Sequence, residues 1–121
     1  MGSTPKERRA LIKENQIEQL KRMIEIREFE EICFNLFAEG LIRGTTHLCN
    51  GQEAVAVGIA SSLDVTDYVM CTYRGHGHAL ALGMTPETVL SEIMGKEGGS
   101  MNGLGGSMHL SDLSIGLLPT S

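Results

Sequence analysis

The sequence predicts an α/β chain, mostly helical, with short strand structure and one glycine-rich loop. Three observations lead there. Apolar residues recur near helical spacing from Ile17 to Phe37. A short apolar run, Tyr68-Val69-Met70-Cys71-Thr72, has the length of a strand and leads through Tyr73 and Arg74 into helix-forming residues. Six of the twelve positions from Gly95 to Gly106 are glycine, too permissive a stretch for helix or strand.

Taken in order, residues 1–16 read as a mobile N-terminal arm, with Lys6-Glu7-Arg8-Arg9 as its one basic run. Residues 17–121 read as a single folded unit. Its first helix is expected over residues 17–39 and closed by Gly40. Ile17, Leu20, Met23, Ile24, Phe29, Ile32, Leu36 and Phe37 would form its packing stripe, and Arg22, Glu25, Arg27, Glu28, Glu30 and Glu31 its solvated face. An irregular link over 41–45 precedes a small-residue helix over 52–63, whose short side chains permit close backbone approach. Asp64 and Asp67 bracket a turn before the strand at 68–72. A helix over 76–82 follows. Thr85-Pro86-Glu87 then supplies an N-cap, an N1 proline and a first-turn carboxylate for a helix over 86–94, which Gly95 stops.

Composition narrows the function classes. At 121 residues the chain fits one small domain of modest core, and 4% aromatic content without tryptophan leaves Met, Leu, Ile, Val and Ala to fill it. A formal net charge of -5 argues against a nucleic-acid binder, which needs clustered Lys and Arg. Three cysteines without CxxC spacing imply neither a disulfide framework nor a zinc ribbon. No apolar run approaches the roughly 20 residues that span a bilayer, and no secretory signal is visible. The expected location is the cytoplasm, with a mitochondrial matrix or plastid equally compatible for a eukaryotic protein.

The stretch richest in chemistry is Tyr73-Arg74-Gly75-His76-Gly77-His78. Glycines at a helix start free backbone N–H groups, Arg74 adds forked donors and Tyr73 a hydroxyl, so together they make a phosphate grip. On these residues alone, a surface arginine beside a glycine turn fits equally well. Other chemistries fail. No Gly-Lys-Ser/Thr forms a Walker loop, no strand-flanked GxGxxG is present, and Gly106-Ser107 lacks the Gly-x-Ser-x-Gly elbow. His47, His76, His78 and His109 have no metal-ligand spacing, so no metal site is expected within the chain.

Three segments in fixed order carry a resemblance: Thr46-His47-Leu48-Cys49-Asn50-Gly51-Gln52-Glu53-Ala54, Tyr73-Arg74-Gly75-His76-Gly77, and Gly105-Gly106-Ser107-Met108-His109. From about Met23 onward the chain resembles the alpha subunit of thiamine-diphosphate-dependent 2-oxo acid dehydrogenases, among them the pyruvate and acetoin dehydrogenase decarboxylase components. One departure is that Asn102 and Leu104 stand where family members commonly carry lysines, which weakens any charge-based role for that loop. The resemblance implies the N-terminal portion of an α/β thiamine-diphosphate-binding fold with short parallel strands. It implies the cofactors thiamine diphosphate and magnesium, the magnesium ligands lying beyond Ser121. It also implies, as partners, a beta subunit that supplies the activating glutamate and the lipoyl domain of a dihydrolipoyl acyltransferase core. By the same resemblance His47 and His109 are candidate catalytic residues, and Tyr73, Arg74 and His76 candidate cofactor contacts. Gln52 and Glu53 are read as packing and capping residues. The substrate would be a small 2-oxo acid or acetoin, with Arg74-Gly75-His76-Gly77-His78 tilting toward acetoin. The competing expectation is a catalytically inactive fragment or partner-binding module of that family.

Overall fold

Helices begin where the sequence supplies caps. Thr4 and Glu7 form a reciprocal capping box, the Thr4 hydroxyl accepting from the Glu7 N–H at 3.2 Å and the Glu7 carboxylate from the Thr4 N–H at 3.1 Å. Asn15 accepts from the Glu18 N–H at 3.1 Å, and Thr85 from the Thr88 N–H at 3.3 Å ahead of Pro86. In the computed structural model, which describes residues 4–120, these starts give α1 (Pro5–Leu11), α2 (Gln16–Ala38) and α5 (Pro86–Ile93). Between them lie α3 (Glu53–Ser62) and α4 (His76–Ala81), and two 3₁₀ turns follow at Gly106–Met108 and Leu113–Ile115. No helix among the described residues is long and apolar enough to cross a membrane.

Residues 5–12, assigned by sequence to a mobile arm, instead form α1 and its C-cap. Ile12 is buried, and the buried Arg9 guanidinium donates to the carbonyls of Asp64 (2.7 Å), Asp67 (3.0 Å) and Ile115 (2.7 Å). Those carbonyls sit in turns with no ladder to satisfy them, so the arginine does it.

The long helix matches its expected span, but its faces are only partly the expected ones: Met23, Phe29 and Leu36 do pack inward and Arg27, Glu28 and Glu31 are exposed, while other members of each face change sides. Ile17, Leu20, Ile24, Ile32 and Phe37 are exposed, from 44% to 65%, whereas Arg22 is 5% and Glu30 0% exposed. The inward stripe is Arg22, Ile26, Phe29, Glu30 and Cys33, spaced i, i+4, i+7, i+8 and i+11. Arg22 earns its place by donating to the carbonyls of Leu80 (3.0 Å) and Ala81 (3.3 Å), which end α4 without intrahelical partners, and to that of Arg8 (2.9 Å).

α2, α3 and α4 pack together through small residues. A Cβ on Gly77 would lie 2.9 Å from Cys49 Sγ and 3.3 Å from the Ala56 Cβ, so glycine is what lets α4 approach α3 this closely. The strand expected over 68–72 does not form. A single parallel bridge pairs Val69 with Leu117, through the Val69 N–H to the Gly116 carbonyl (2.7 Å) and the Leu118 N–H to the Val69 carbonyl (2.9 Å). Tyr68 and Met70 on either side point outward and are exposed, and nothing extends the pairing into a ladder. The described chain is thus mostly helical with almost no β-structure.

The partly shifted faces of α2 generate a test. Ile26→Ala should destabilise the fold by about 2–5 kcal/mol, the usual cost of a buried Ile-to-Ala change, and Ile24→Ala by no more than ~0.5 kcal/mol. Urea unfolding of both variants measures this; similar losses would mean that the outward stripe is packed after all.

Candidate functional site

Glu30 is the lowest layer of the site. Reaching inward from α2, its carboxylate accepts from the Cys49 N–H at 2.6 Å, which ties down the link between α2 and α3, and its other oxygen lies 2.7 Å from His76 Nδ1. His76, the first residue of α4, is fully buried. Its Nε2 lies 2.8 Å from the Ser107 hydroxyl and 3.2 Å from the Ser107 carbonyl. The Ser107 Oγ in turn accepts from the His47 N–H at 3.3 Å. In the Nδ1–H tautomer that N–H donates to Glu30 and the Ser107 hydroxyl donates to Nε2 while accepting from His47; the Ser107 carbonyl would receive a bond from the ring only if Nε2 also carried a proton. Four segments far apart in sequence are joined by this chain.

Above it lies an exposed edge. The His47 ring meets Tyr73 edge-on, with centroids 4.6 Å apart and planes at 61°, and the Arg74 guanidinium lies over the same tyrosine at 5.6 Å. Arg74 also donates to the Leu48 carbonyl, which orients its fork while leaving other N–H groups outward. So of the five candidates chosen from sequence, His47, Tyr73 and Arg74 come together. His76 does not share the edge: both its ring nitrogens are occupied inside the protein, and it supports the edge from below. His109 is exposed just past the first 3₁₀ turn, and among the described residues no hydrogen bond or ring contact joins it to the other three. A concavity of about 590 Å³ runs along Arg43, Lys96 and the glycine-rich turn, and none of the three clustered side chains lines it.

The surrounding groups are held in defined charge states. Glu53, which begins α3, accepts from Arg27 Nε at 2.7 Å and from the Gly51 N–H at 2.9 Å. The Arg27 hydrogen bond, against the opposing effect of burial, brings its carboxyl down to about 2. Glu53 thereby clamps α3 to α2 and to the preceding loop, whereas the side-chain cap expected at this helix start is not formed. Burial, reinforced by the nearby Glu30 carboxylate, pushes the thiols of Cys33 and Cys49 up to about 12, so both remain neutral and unreactive. Burial likewise lowers the pKa of His78.

Glu30, Ser107 and Glu92 were missed as supporting residues. Glu30 stands in a run of acidic residues that reads as a wet surface, and Ser107 is short and unremarkable in sequence. Glu92 did leave a signal. It lies between the buried Val89 and Ile93 on the inward face of α5, just before the glycine-rich stretch, where a carboxylate needs partners.

A model of the family described as "Dehydrogenase E1 component" matches residues 21–117. The chain belongs to the dehydrogenase E1 component family. This E1-family chain is 46% identical to the alpha subunit of an acetoin:2,6-dichlorophenolindophenol oxidoreductase from Cupriavidus necator, over 108 residues covering 89% of this chain and 32% of the relative. It is 48% identical to the pyruvate dehydrogenase E1 component subunit alpha of Zymomonas mobilis, over 99 residues covering 81% of this chain and 28% of the relative. With the chloroplastic pyruvate dehydrogenase E1 component subunit alpha-3 of Arabidopsis thaliana the identity is 43% over 100 residues, covering 83% of this chain and 23% of the relative. The chain spans about a third or less of the length of these curated relatives.

The clamp at the start of α3 has a pH signature. Because the Glu53 carboxyl is depressed in the fold, its contribution is complete above the ordinary carboxylate value of 4.5 and is lost as pH falls toward about 2. Glu53→Gln should therefore be less stable than wild type near neutrality, with the gap closing between those two values. Denaturant unfolding at pH 6 and pH 3 measures it, and a gap that stays constant would remove Glu53 from the clamp.

Proposed function

We propose that this E1-family chain forms the diphosphate-gripping part of the alpha subunit of a thiamine-diphosphate-dependent decarboxylating dehydrogenase. Its substrate is a small 2-oxo acid or acetoin, and the acyl group passes to a lipoyl carrier. The observation that carries this reading is the contact of His47 with Tyr73 beneath the Arg74 guanidinium. A phenol, a forked cation and an imidazole on one accessible edge fit an anion at one end and a reacting carbonyl at the other.

When bound, thiamine diphosphate supplies the nucleophilic carbon and the electron sink that decarboxylation of a 2-oxo acid requires. The chain's own residues bind and orient. Arg74 takes the diphosphate by charge-assisted N–H bonds, and Tyr73 adds its hydroxyl. His47, at the inner end of the row, hydrogen-bonds the oxygen on which charge develops and can move a proton at its ring nitrogen. His109 lines the approach from the other side of the glycine-rich turn. The second cofactor of this reading is magnesium; the described residues offer no group of three or more His, Cys, Asp or Glu side chains that could hold it.

The edge is open on one side, which supports a second, beta-type subunit as its missing wall and a lipoyl domain as the visitor that collects the acyl group. The setting is a cytoplasmic or organellar aqueous compartment, and the Arg74-Gly75-His76-Gly77-His78 run favours an acetoin-type enzyme. Exposed Ile17, Leu20, Ile24, Val55 and Ile59 also suit the second reading, a catalytically inactive module that docks on family partners. Turnover of pyruvate or acetoin by the chain assembled with a beta-type subunit separates the two.

In that assembly, Arg74→Ala should weaken thiamine diphosphate binding about ten- to a hundredfold, since a charge-assisted bond is worth about 1.5–3 kcal/mol, and Tyr73→Phe should do less. Calorimetric titration reads both, and an unchanged affinity for the Arg74 variant would take it out of the site. His47→Ala should instead leave cofactor affinity intact and lower turnover by about a hundredfold, as loss of a group acting in the transition state does. Turnover within about twofold of wild type would return His47 to a structural role.

A further inference from the structure

A glycine-rich turn with many free N–H groups is the usual material of an anion cradle. Here an internal anion fills it. Glu92, the seventh residue of α5, is fully buried, yet among the described residues it has no cationic partner. One of its carboxylate oxygens accepts from the N–H groups of Met101 (2.6 Å) and Gly103 (3.0 Å), and the other from those of Gly105 (2.6 Å) and Gly106 (3.0 Å). The turn is wrapped too tightly for side chains: a Cβ on Gly99 would sit 2.5 Å from the Glu92 Cα, and one on Gly105 2.5 Å from the His109 carbonyl. Burial opposes ionisation of Glu92, but the four backbone N–H groups together hold its carboxyl below the ordinary value.

The turn leads directly into Ser107, the residue that holds the His47 main chain and His76 Nε2. We infer that Glu92 is a positioning residue: its carboxylate occupies the anion cradle of residues 101–106 and so places Ser107, through which it fixes the main chain of His47. That His47 belongs to an active site rests on the function proposed above. The cradle and its coupling to the His47 main chain do not, and amide exchange read by NMR on the 121-residue chain tests them without cofactor or turnover.

Three variants decide it. In Glu92→Gln the side-chain carbonyl can serve one pair of amides while its NH₂ faces the other pair, so two of the four N–H groups at 101, 103, 105 and 106 should exchange about tenfold faster or more. In Glu92→Ala all four should do so, together with the His47 amide, and sodium formate should restore protection where formamide at the same concentration and ionic strength does not. Ser107→Ala should release the His47 amide while leaving the four turn amides protected. Wild-type protection in Glu92→Gln, equal recovery with formamide or none with formate, or an unmoved His47 amide in Glu92→Ala would each overturn the inference. Should the alanine variant not fold even with formate, the isosteric glutamine variant decides, by its turn amides and its His47 amide together.

Discussion

Every buried N–H and carbonyl must find a partner, and a chain with almost no β-ladder has to find those partners among side chains. Four buried charged residues carry much of that load. Arg9 gathers three carbonyls from two turns, Arg22 closes the C-terminal end of α4, Glu30 takes the Cys49 N–H, and Glu92 takes four N–H groups of the glycine-rich turn. Cations answer carbonyls and carboxylates answer amides, so each buried charge is compensated by peptide dipoles. Glu30 also uses an ionisable side chain, His76, as a close partner at 2.7 Å, and Arg22 lies 3.7 Å from the Glu25 carboxylate.

This arrangement explains why the candidate site is stiff underneath and open above. Glu30 and Glu92 hold the two flanks of Ser107, one through His76 and one through the turn that precedes it. His47 hangs from the Ser107 hydroxyl by its main chain, which leaves its ring free to lie against Tyr73. A side chain that must meet a reacting group within a fraction of an ångström is best supported in this way, by backbone anchors that do not compete for the ring. Arg74 keeps its outward N–H groups for the same reason, since its one internal bond goes to the Leu48 carbonyl.

The outward face of α2 follows from the same economy. With Arg22 and Glu30 drawn inward as pairing groups, several of the helix's aliphatic residues are left on the far side, where Leu20 and Ile24 border Arg27 and Glu28 in a shallow groove.

Helix positions were legible because caps and breakers act locally. Thr85-Pro86-Glu87, Gly40 and Gly95 each limit the backbone within one turn, whatever lies around them. The motif residues His47, Tyr73 and Arg74 were legible as chemistry for the same reason, being short runs of recognisable donors. What sequence could not decide was which way α2 faces and which charges are internal. Its inward stripe of Arg22, Ile26, Phe29, Glu30 and Cys33 mixes ions with apolar groups, so hydrophobic periodicity finds only part of the inward face, Met23, Phe29 and Leu36. The strand at 68–72 failed similarly, because pairing depends on a neighbour that only the fold supplies. Nor could sequence tell that His76 would be enclosed while His47, 29 positions earlier, reaches the surface. The sequence by itself determined where the capped and glycine-stopped helices begin and end and which side chains are candidates for chemistry. Tertiary structure alone decided which charges are buried, because the worth of a buried ion is set by the dipoles that distant segments bring to it.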